Sequence, residues 1–414
     1  MLYMFRLLAV CENPLEVQTI VPVARELEKQ NESHVEVDFA SQDPLLDQGA
    51  DAALRAMGRS KQELPYPIHL SEPFHKLRTM EKLKVVLATD WRLRGVIDEY
   101  DGLMYGIDAF AAAMLAADAH RHGKPTFQIF ASLNPGSAKE DSTIRHLKDT
   151  LRSAVGYLTG TRFLTYPNRP GGTPCDRLFV MGDQNKEVFI GQGIPRERVF
   201  AYGIPRFANL FEDGTEEPSL PLSDSGRILY VTGSFAWHGK MENHQLQQRQ
   251  LRQIVKALQT HVVSDRPEFA VKVHPRESES YYEWMENLDV VTVISKSDDL
   301  YQCIRESTVV ATIGSTVAYE AVFHDRVSIV TRFPDVDSNL FGKMTKHFIE
   351  VGTVEEFFEV VSTLHEKYNV YNDELRKQRN NAEKVIDPDS PRSAKLIAQN
   401  ILNYLLKDEE NYTN

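Results

Sequence analysis

The sequence has few cysteines, no long hydrophobic run and no excess of basic residues. Its 414 residues include only Cys11, Cys175 and Cys303, far apart and without a CxxC pair. Neither a disulfide framework nor a zinc site is therefore expected. No apolar stretch approaches the roughly 20 residues that span a bilayer. Acidic residues outnumber basic ones by 59 to 47, and a formal charge of −12 argues against an extended nucleic-acid-binding surface.

These absences predict a cytoplasmic protein without a transmembrane segment and without a nucleic-acid partner. The apolar first ten residues are followed at once by Glu12, with no small-residue cleavage site, so a buried strand is expected there rather than a signal sequence. Peripheral association with a membrane remains compatible with the sequence, and the oligomeric state is left open.

Short apolar runs alternate with helical patterns along the chain, most clearly in the second half at 269–273, 290–294, 309–313 and 327–330. This alternation predicts parallel sheets with crossover helices. A chain of this length is too long for one core. We therefore expect an N-terminal domain over residues 1–207, an acidic linker rich in Pro, Gly and Ser over 208–226, and a C-terminal domain over 227–386. A last helix, within 387–414, is expected to cross back to the first domain.

Polar residues follow the predicted strands of the second half, where parallel sheets bind ligands. His274 follows the strand at 269–273, and Gly314-Ser-Thr316 leads from the strand at 309–313 into a helix. The amides and hydroxyls of such a helix start can bind a phosphate, and a histidine can stabilise leaving-group charge. The alternatives are that Ser315 caps the helix and that His274 is an ordinary turn residue. Further candidates nearby are Gly233, Ser234, His238, Arg276 and Glu320.

The first half offers candidates for proton transfer and sugar binding. Asp108 follows an apolar run and precedes an Ala-rich helix, so it is either a general base or the N-cap of that helix. Ser132 and Asn134 lie in the loop after the predicted strand at 125–130 and are candidates for sugar contact. The βαβ opening lacks GxGxxG, so no dinucleotide fingerprint is present.

Four short motifs, taken together in their order, resemble the GT-B superfamily. They are Lys-Val-His-Pro at 272–275, Ile-Gly-Ser-Thr-Val-Ala-Tyr-Glu-Ala at 313–321, the run from Gly193 to Arg206, and Tyr-Asp-Gly-Leu-Met-Tyr-Gly-Ile-Asp at 100–108. The chain is most similar to bacterial capsule-type glycosyltransferases, including polysialyltransferases, and to UDP-N-acetylglucosamine 2-epimerases. This resemblance implies an α/β fold of two Rossmann-like domains that face each other across a cleft.

The resemblance implies a metal-independent glycosyltransferase, an enzyme without a cofactor that moves a sugar from a nucleotide-sugar donor to a glycan or lipid-linked acceptor. Asp108 would deprotonate the acceptor, His274 would stabilise the leaving phosphate, and Glu320 would bind the ribose. The Asp-Val-Asp of 335–337 is expected to be a loop rather than a metal site.

Two alternatives stay open, a sugar-nucleotide 2-epimerase and a non-catalytic nucleotide-sugar-binding protein. The epimerase pattern departs at 127–134, which lacks the acidic residue of the epimerases' His-X-Glu-Ala-Gly loop. It departs again at Gly314, which stands where those enzymes have serine.

Overall fold

The computed structural model shows two α/β units, each built on a six-stranded parallel sheet. The predicted fold class is confirmed in this respect. One unit comprises residues 1–212 and 385–414, and the other comprises residues 213–384. The structure describes residues 4–29, 34–46, 49–66, 77–108, 110–133, 142–167, 170–211, 226–237, 239–260, 267–332 and 346–412.

The sheet of the first unit has the strand order β2-β1-β3-β4-β5-β6, with parallel pairing throughout. Its central strands are buried apolar runs, as expected for a parallel sheet covered on both faces. The strands are β1 Met4–Cys11, β2 His34–Ser41, β3 Gly102–Tyr105, β4 Thr126–Phe130, β5 Arg177–Val180 and β6 Val199–Ala201.

Seven helices accompany these strands among the described residues before position 212. They are α1 Pro14–Lys29, α2 Asp43–Leu46, α3 Ala50–Ala56, α4 Thr79–Leu93, α5 Phe110–Arg121, α6 Ser142–Thr159 and α7 Asp183–Gly191. The Asn13 side chain accepts hydrogen bonds from the N–H groups of Leu15 and Glu16, which makes Asn13 the predicted cap of α1. Residues 85–88, which the sequence left between strand and helix, lie in α4.

The strand predicted to reach Asp108 ends earlier, at Tyr105. The buried Glu16 carboxylate accepts a hydrogen bond from Ile107 N at 3.1 Å, and a Cβ on Gly106 would overlap this carboxylate. The Glu16 side chain thus lies directly against the backbone that follows β3.

The sheet of the second unit has the order β12-β11-β10-β7-β8-β9, again with parallel pairing. Two 3₁₀ turns, Glu279–Tyr281 and Glu283–Met285, stand where the sequence predicted a crossover helix after β8. The strands are β7 Arg227–Val231, β8 Glu268–Lys272, β9 Thr292–Ile294, β10 Val309–Thr312, β11 Val327–Thr331 and β12 Ile349–Val351. The helices are α8 Met241–Thr260, α9 Leu300–Arg305, α10 Val317–Phe323, α11 Val354–Glu366 and α12 Tyr368–Ala382.

The last helix, α13 Ser390–Tyr412, belongs to the first unit, where it packs on α1. It buries Ile397, Ala398, Ile401 and Leu405. Asp387 N, just before it, donates a hydrogen bond to Met181 O at 2.8 Å. Residues 208–210, in the predicted linker, form the end of the 3₁₀ helix Pro205–Leu210, and residues 212–225 lie outside the described part of the chain. None of the described helices is long and apolar enough to cross a membrane.

Candidate functional site

The sheet of the second unit contains a topological switch point between β7 and β10. From β7 the chain builds outward through β8 and β9, whereas from β10 it builds the opposite way through β11 and β12. Val231, at the end of β7, lies in register with Lys272 of β8 and Thr312 of β10. Ligands of open α/β sheets bind at such a point, outside the carboxyl ends of the strands. The segments after β7, β8 and β10, which carry Ser234, His274 and Gly314, therefore leave the sheet at this one edge.

The turn after β10 requires glycine and leaves backbone donors unused. Gly314 has φ of 141°, a conformation that residues with a Cβ rarely adopt. The Ser315 hydroxyl accepts a hydrogen bond from Val317 N, the first residue of α10, at 3.3 Å, but the N-cap position itself is occupied by Thr316. In the described part of the chain, the N–H groups of Ser315 and Thr316 have no acceptor, and both residues are half-buried. These two amides can donate to an anionic ligand.

Glu320 lies one turn into α10 and is fixed in place. Its Oε2 accepts a hydrogen bond from the Tyr301 hydroxyl at 3.0 Å, and its N–H donates to Thr316 O at 3.1 Å. The residue is buried. Glu320 therefore supplies a buried carboxylate just behind the Gly314 turn.

His274 is oriented by two backbone hydrogen bonds. Its own N–H donates to Thr232 Oγ1 at 2.9 Å, and its Nδ1 accepts from Arg276 N at 3.0 Å. Because Nδ1 is an acceptor, the neutral ring carries its proton on Nε2. The half-buried imidazole is thus set up as a donor at Nε2.

Glu277 connects the loops that follow β7 and β8. Its side chain is fully buried, and its carboxylate accepts hydrogen bonds from the N–H groups of Ala236, at 2.9 Å, and Trp237. The Arg276 guanidinium lies 4.8 Å from the centre of the Trp237 ring. His244 Nδ1 is 3.5 Å from Glu277 Oε2. Burial raises the pKa of Glu277 and lowers the pKa of His244.

The amide of Gly233 is engaged within the protein. It donates to Gln247 Oε1 at 2.7 Å, and Gln247 Nε2 donates to the Tyr282 hydroxyl at 2.9 Å. A Cβ on Gly233 would lie 2.7 Å from the Phe235 ring, so close packing accounts for this glycine. Ser234 is half-buried beside it, and the predicted contact residue His238 lies outside the described residues.

Asp108, the candidate base of the first unit, is held by several donors. Its Oδ1 accepts from Gln128 Nε2 at 2.8 Å and its Oδ2 from Thr173 N at 3.4 Å, with further bonds from the amides of Gly171 and Gly172. Burial nevertheless raises the pKa of Asp108 to about 7. Such a group can accept and return a proton near neutral pH.

Asp108 does not cap α5 within the part of the chain that the structure describes. The N–H of Ala111 in the first turn instead donates to Gln42 Oε1 at 3.0 Å. The backbone oxygen of Ser132 accepts a hydrogen bond from Asn185 Nδ2 at 3.2 Å, and Ser132 is half-buried. Asn134, like residues 335–337, lies outside the described residues.

Sequence reasoning did not identify Glu277, His244, Gln247 or Gln128 as parts of these arrangements. The signal for Glu277 was its place directly after His-Pro-Arg, because a turn there returns the chain towards the neighbouring loop. The others lie within a helix or strand and reach their partners through the tertiary fold, so no local pattern marked them.

No protein-family model and no curated protein matches the sequence. Several solved structures, in contrast, have the same fold as this chain. UDP-GlcNAc 2-epimerase from Neisseria meningitidis, bound to UDP-GlcNAc, matches with a TM-score of 0.62 at 15% identity, over 96% of this chain and 100% of that one. The glycotransferase of kitacinnamycin matches with a TM-score of 0.62 at 14% identity, over 97% and 100%.

UDP-GlcNAc 2-epimerase from Methanocaldococcus jannaschii, in complex with UDP-GlcNAc and UDP, matches with a TM-score of 0.59 at 14% identity, over 97% of this chain and 100% of that one. At such low identity these similarities establish a shared fold. The chain is thus similar to structures of the GT-B type over nearly its whole length.

Proposed function

We propose that this protein is an enzyme that acts on a nucleotide-sugar and binds its diphosphate at the switch point of the second unit. The observation that carries the proposal is the pair of backbone N–H groups of Ser315 and Thr316, which have no acceptor among the described residues. These residues and His274, with its Nε2 donor, follow strands that end at the same edge of the sheet. Oriented N–H groups and an imidazole bind phosphate oxygens and stabilise the charge of a leaving diphosphate.

A uridine diphosphate sugar is the first ligand to test. Two of the structures with this fold were solved with UDP-GlcNAc, one of them also with UDP. In this proposal the buried carboxylate of Glu320 accepts hydrogen bonds from ribose hydroxyls, which a neutral side chain would do less strongly.

Proton transfer is assigned in this proposal to Asp108. A pKa of about 7 leaves the carboxyl partly ionised at neutral pH, so it can serve as a base and return the proton as an acid. Gln128 and the amides of 171–173 hold both oxygens in place.

Two reactions of a nucleotide-sugar agree with this assignment. Epimerisation at C2 is favoured by the solved structures, since epimerases predominate among those compared. Glycosyl transfer is favoured by residues 127–133, which carry no acidic side chain, and by the kitacinnamycin glycotransferase. An epimerase converts the nucleotide-sugar without an acceptor, whereas a transferase releases the nucleoside diphosphate in proportion to acceptor glycosylation.

The test is incubation of the purified protein with UDP-GlcNAc, alone and with added glycan or lipid-linked acceptors, followed by proton NMR and by calorimetric titration of binding. We expect His274→Ala to weaken the binding of UDP about tenfold, the effect of one lost charge-assisted hydrogen bond. His365→Ala, on an exposed position of α11, is the control and should bind UDP normally. Failure of UDP-, CMP-, GDP- and CDP-linked sugars to bind at all would refute the proposal.

A further inference from the structure

Helix α6 of the first unit presents four large apolar side chains to solvent. Leu147, Leu151, Val155 and Leu158 are between 38% and 87% exposed. Their spacing of four, four and three residues puts them on one face of the helix. Among the α6 side chains that the structure describes, none is buried, and the buried position is Gly156. The apolar stripe of α6 therefore does not serve the core of this unit.

Helix α4 adds to this apolar surface. Met80, Leu83 and Trp91 of α4 are exposed, Trp91 by 64%. The Arg94 guanidinium, just after α4, donates a hydrogen bond to Gly160 O, just after α6, at 2.8 Å. The last turns of the two helices, which carry Trp91 and Leu158, are thus neighbours.

The charge of the two helices is opposite to that of the whole chain. By composition α6 carries Arg145, Lys148 and Arg152 against the single acid Asp149, and the Arg152 guanidinium donates a hydrogen bond to Tyr166 O at 2.8 Å. The segment 78–94, which contains α4, carries five basic residues against two acidic ones, although the chain as a whole has a formal charge of −12. An exposed apolar stripe on a helix of net basic composition is typical of a helix that lies in a lipid–water interface.

We propose that α6 and the exposed side of α4 bind an anionic lipid surface. Leucine and valine side chains would enter the acyl boundary, and the exposed Lys84 and Arg92 of α4 would face the headgroups. Trp91 and Tyr157, whose rings are amphipathic and exposed, suit the headgroup level. A second copy of the chain fits this surface less well, because pairing α6 with itself would bring two basic helices together. This inference does not depend on the proposed enzymatic function.

The test is co-sedimentation of the full chain with vesicles of phosphatidylcholine alone or mixed with phosphatidylglycerol. We expect binding to the anionic vesicles, little binding to the neutral ones, and release as sodium chloride is raised to about 0.5 M, where charges are screened within a few ångströms. The double substitution Leu151→Gln and Leu158→Gln should reduce vesicle binding about tenfold or more, given the apolar area lost. Leu406→Gln, at an exposed apolar position of α13, is the matched control and should bind as the wild type does.

A second pair of variants tests the role of charge. Lys84→Glu and Arg92→Glu, both at exposed positions of α4, should weaken binding to anionic vesicles only. Circular dichroism should show every variant folded, since the substituted side chains are exposed. The proposal is overturned if the wild type does not bind anionic vesicles, or if the variant with Leu151→Gln and Leu158→Gln binds them as the wild type does. It is equally overturned if light scattering shows a dimer that the α6 substitutions convert to a monomer.

Discussion

Removing the carboxylate of Glu277 should release the loop after β7 from the turn after β8. In Glu277→Ala, the N–H groups of Ala236 and Trp237 lose their shared acceptor. The loop would then keep the Arg276–Trp237 contact and the hydrogen bond from Gly233 N to Gln247 Oε1. We expect the variant to fold, because the substitution lies at the edge of the sheet.

The magnitude follows from the two hydrogen bonds. A hydrogen bond to a charged group contributes about 1.5–3 kcal/mol, so two bonds give an upper value of about 6 kcal/mol. Two terms reduce it. Ala236 and Trp237 are half-buried, so water replaces part of the loss, and the raised pKa of Glu277 shows that burying its charge is itself unfavourable. We expect a net loss of about 2 kcal/mol in the free energy of opening this loop.

Hydrogen exchange measured by mass spectrometry reports this opening directly. A loss of about 2 kcal/mol corresponds to roughly 30-fold faster exchange of the Ala236 and Trp237 amides. Glu283→Ala, an exposed carboxylate in the same segment, is the control and should leave these amides unchanged. Glu277→Gln keeps one carbonyl oxygen as an acceptor and should fall between the two. If Glu277→Ala exchanges at the wild-type rate, Glu277 does not hold the loop and the reasoning fails.

Three further predictions concern the candidate site. Gly314→Ala forces a Cβ into a backbone with φ of 141°, so we expect a loss of about 1–3 kcal/mol in the free energy of urea unfolding and weaker nucleotide binding. The control is Gly123→Ala, at a positive-φ glycine of the first unit with open space around it, which should lower stability without affecting nucleotide binding. In the folded state Asp108 keeps its proton up to about pH 7, whereas its ordinary pKa is 3.8. Between pH 3.8 and about pH 7 the folded state therefore binds more protons than the unfolded state, so the free energy of unfolding falls as pH rises. Asp108→Asn should remove this pH dependence of the melting temperature. It should also remove any rise of activity through pH 7, and an unchanged pH profile of activity would exclude Asp108 as the base. Tyr301→Phe should lower the free energy of unfolding by about 1 kcal/mol and weaken UDP binding, because Glu320 loses a hydrogen bond. If this variant binds UDP with the wild-type affinity, Glu320 is excluded from the ribose site.

The strands were predictable because a parallel sheet buries both faces of each strand. The runs at 269–273, 309–313 and 327–330 are mainly apolar, with one polar residue each, and they coincide with β8, β10 and β11 to within one residue at either end. Strand β12 escaped prediction because three residues, Ile349–Val351, give no period to read. The helices α2 and α3 were missed for the same reason, since they are only four and seven residues long.

The site was predictable only as far as strand ends and turn residues are visible in a sequence. His274 and Gly314 were found because each interrupts the chain directly after an apolar run. The burial of Glu277 could not be foreseen, since an acidic residue in a turn is ordinarily solvated. The pKa of Asp108 is raised by burial and partly lowered again by Gln128 and residues 171–173, which are distant in sequence. The roles proposed for these residues stay predictions.

The position of α13 in the chain has a consequence for biosynthesis. This helix completes the core of the first unit with Ile397, Ile401 and Leu405, yet the ribosome makes it only after all of residues 213–384. While the second unit is translated, the face of α1 that later packs against α13 stays exposed on the nascent first unit. During that interval we expect chaperones to bind the exposed surface. A stop codon before Ser390 should yield an aggregating product.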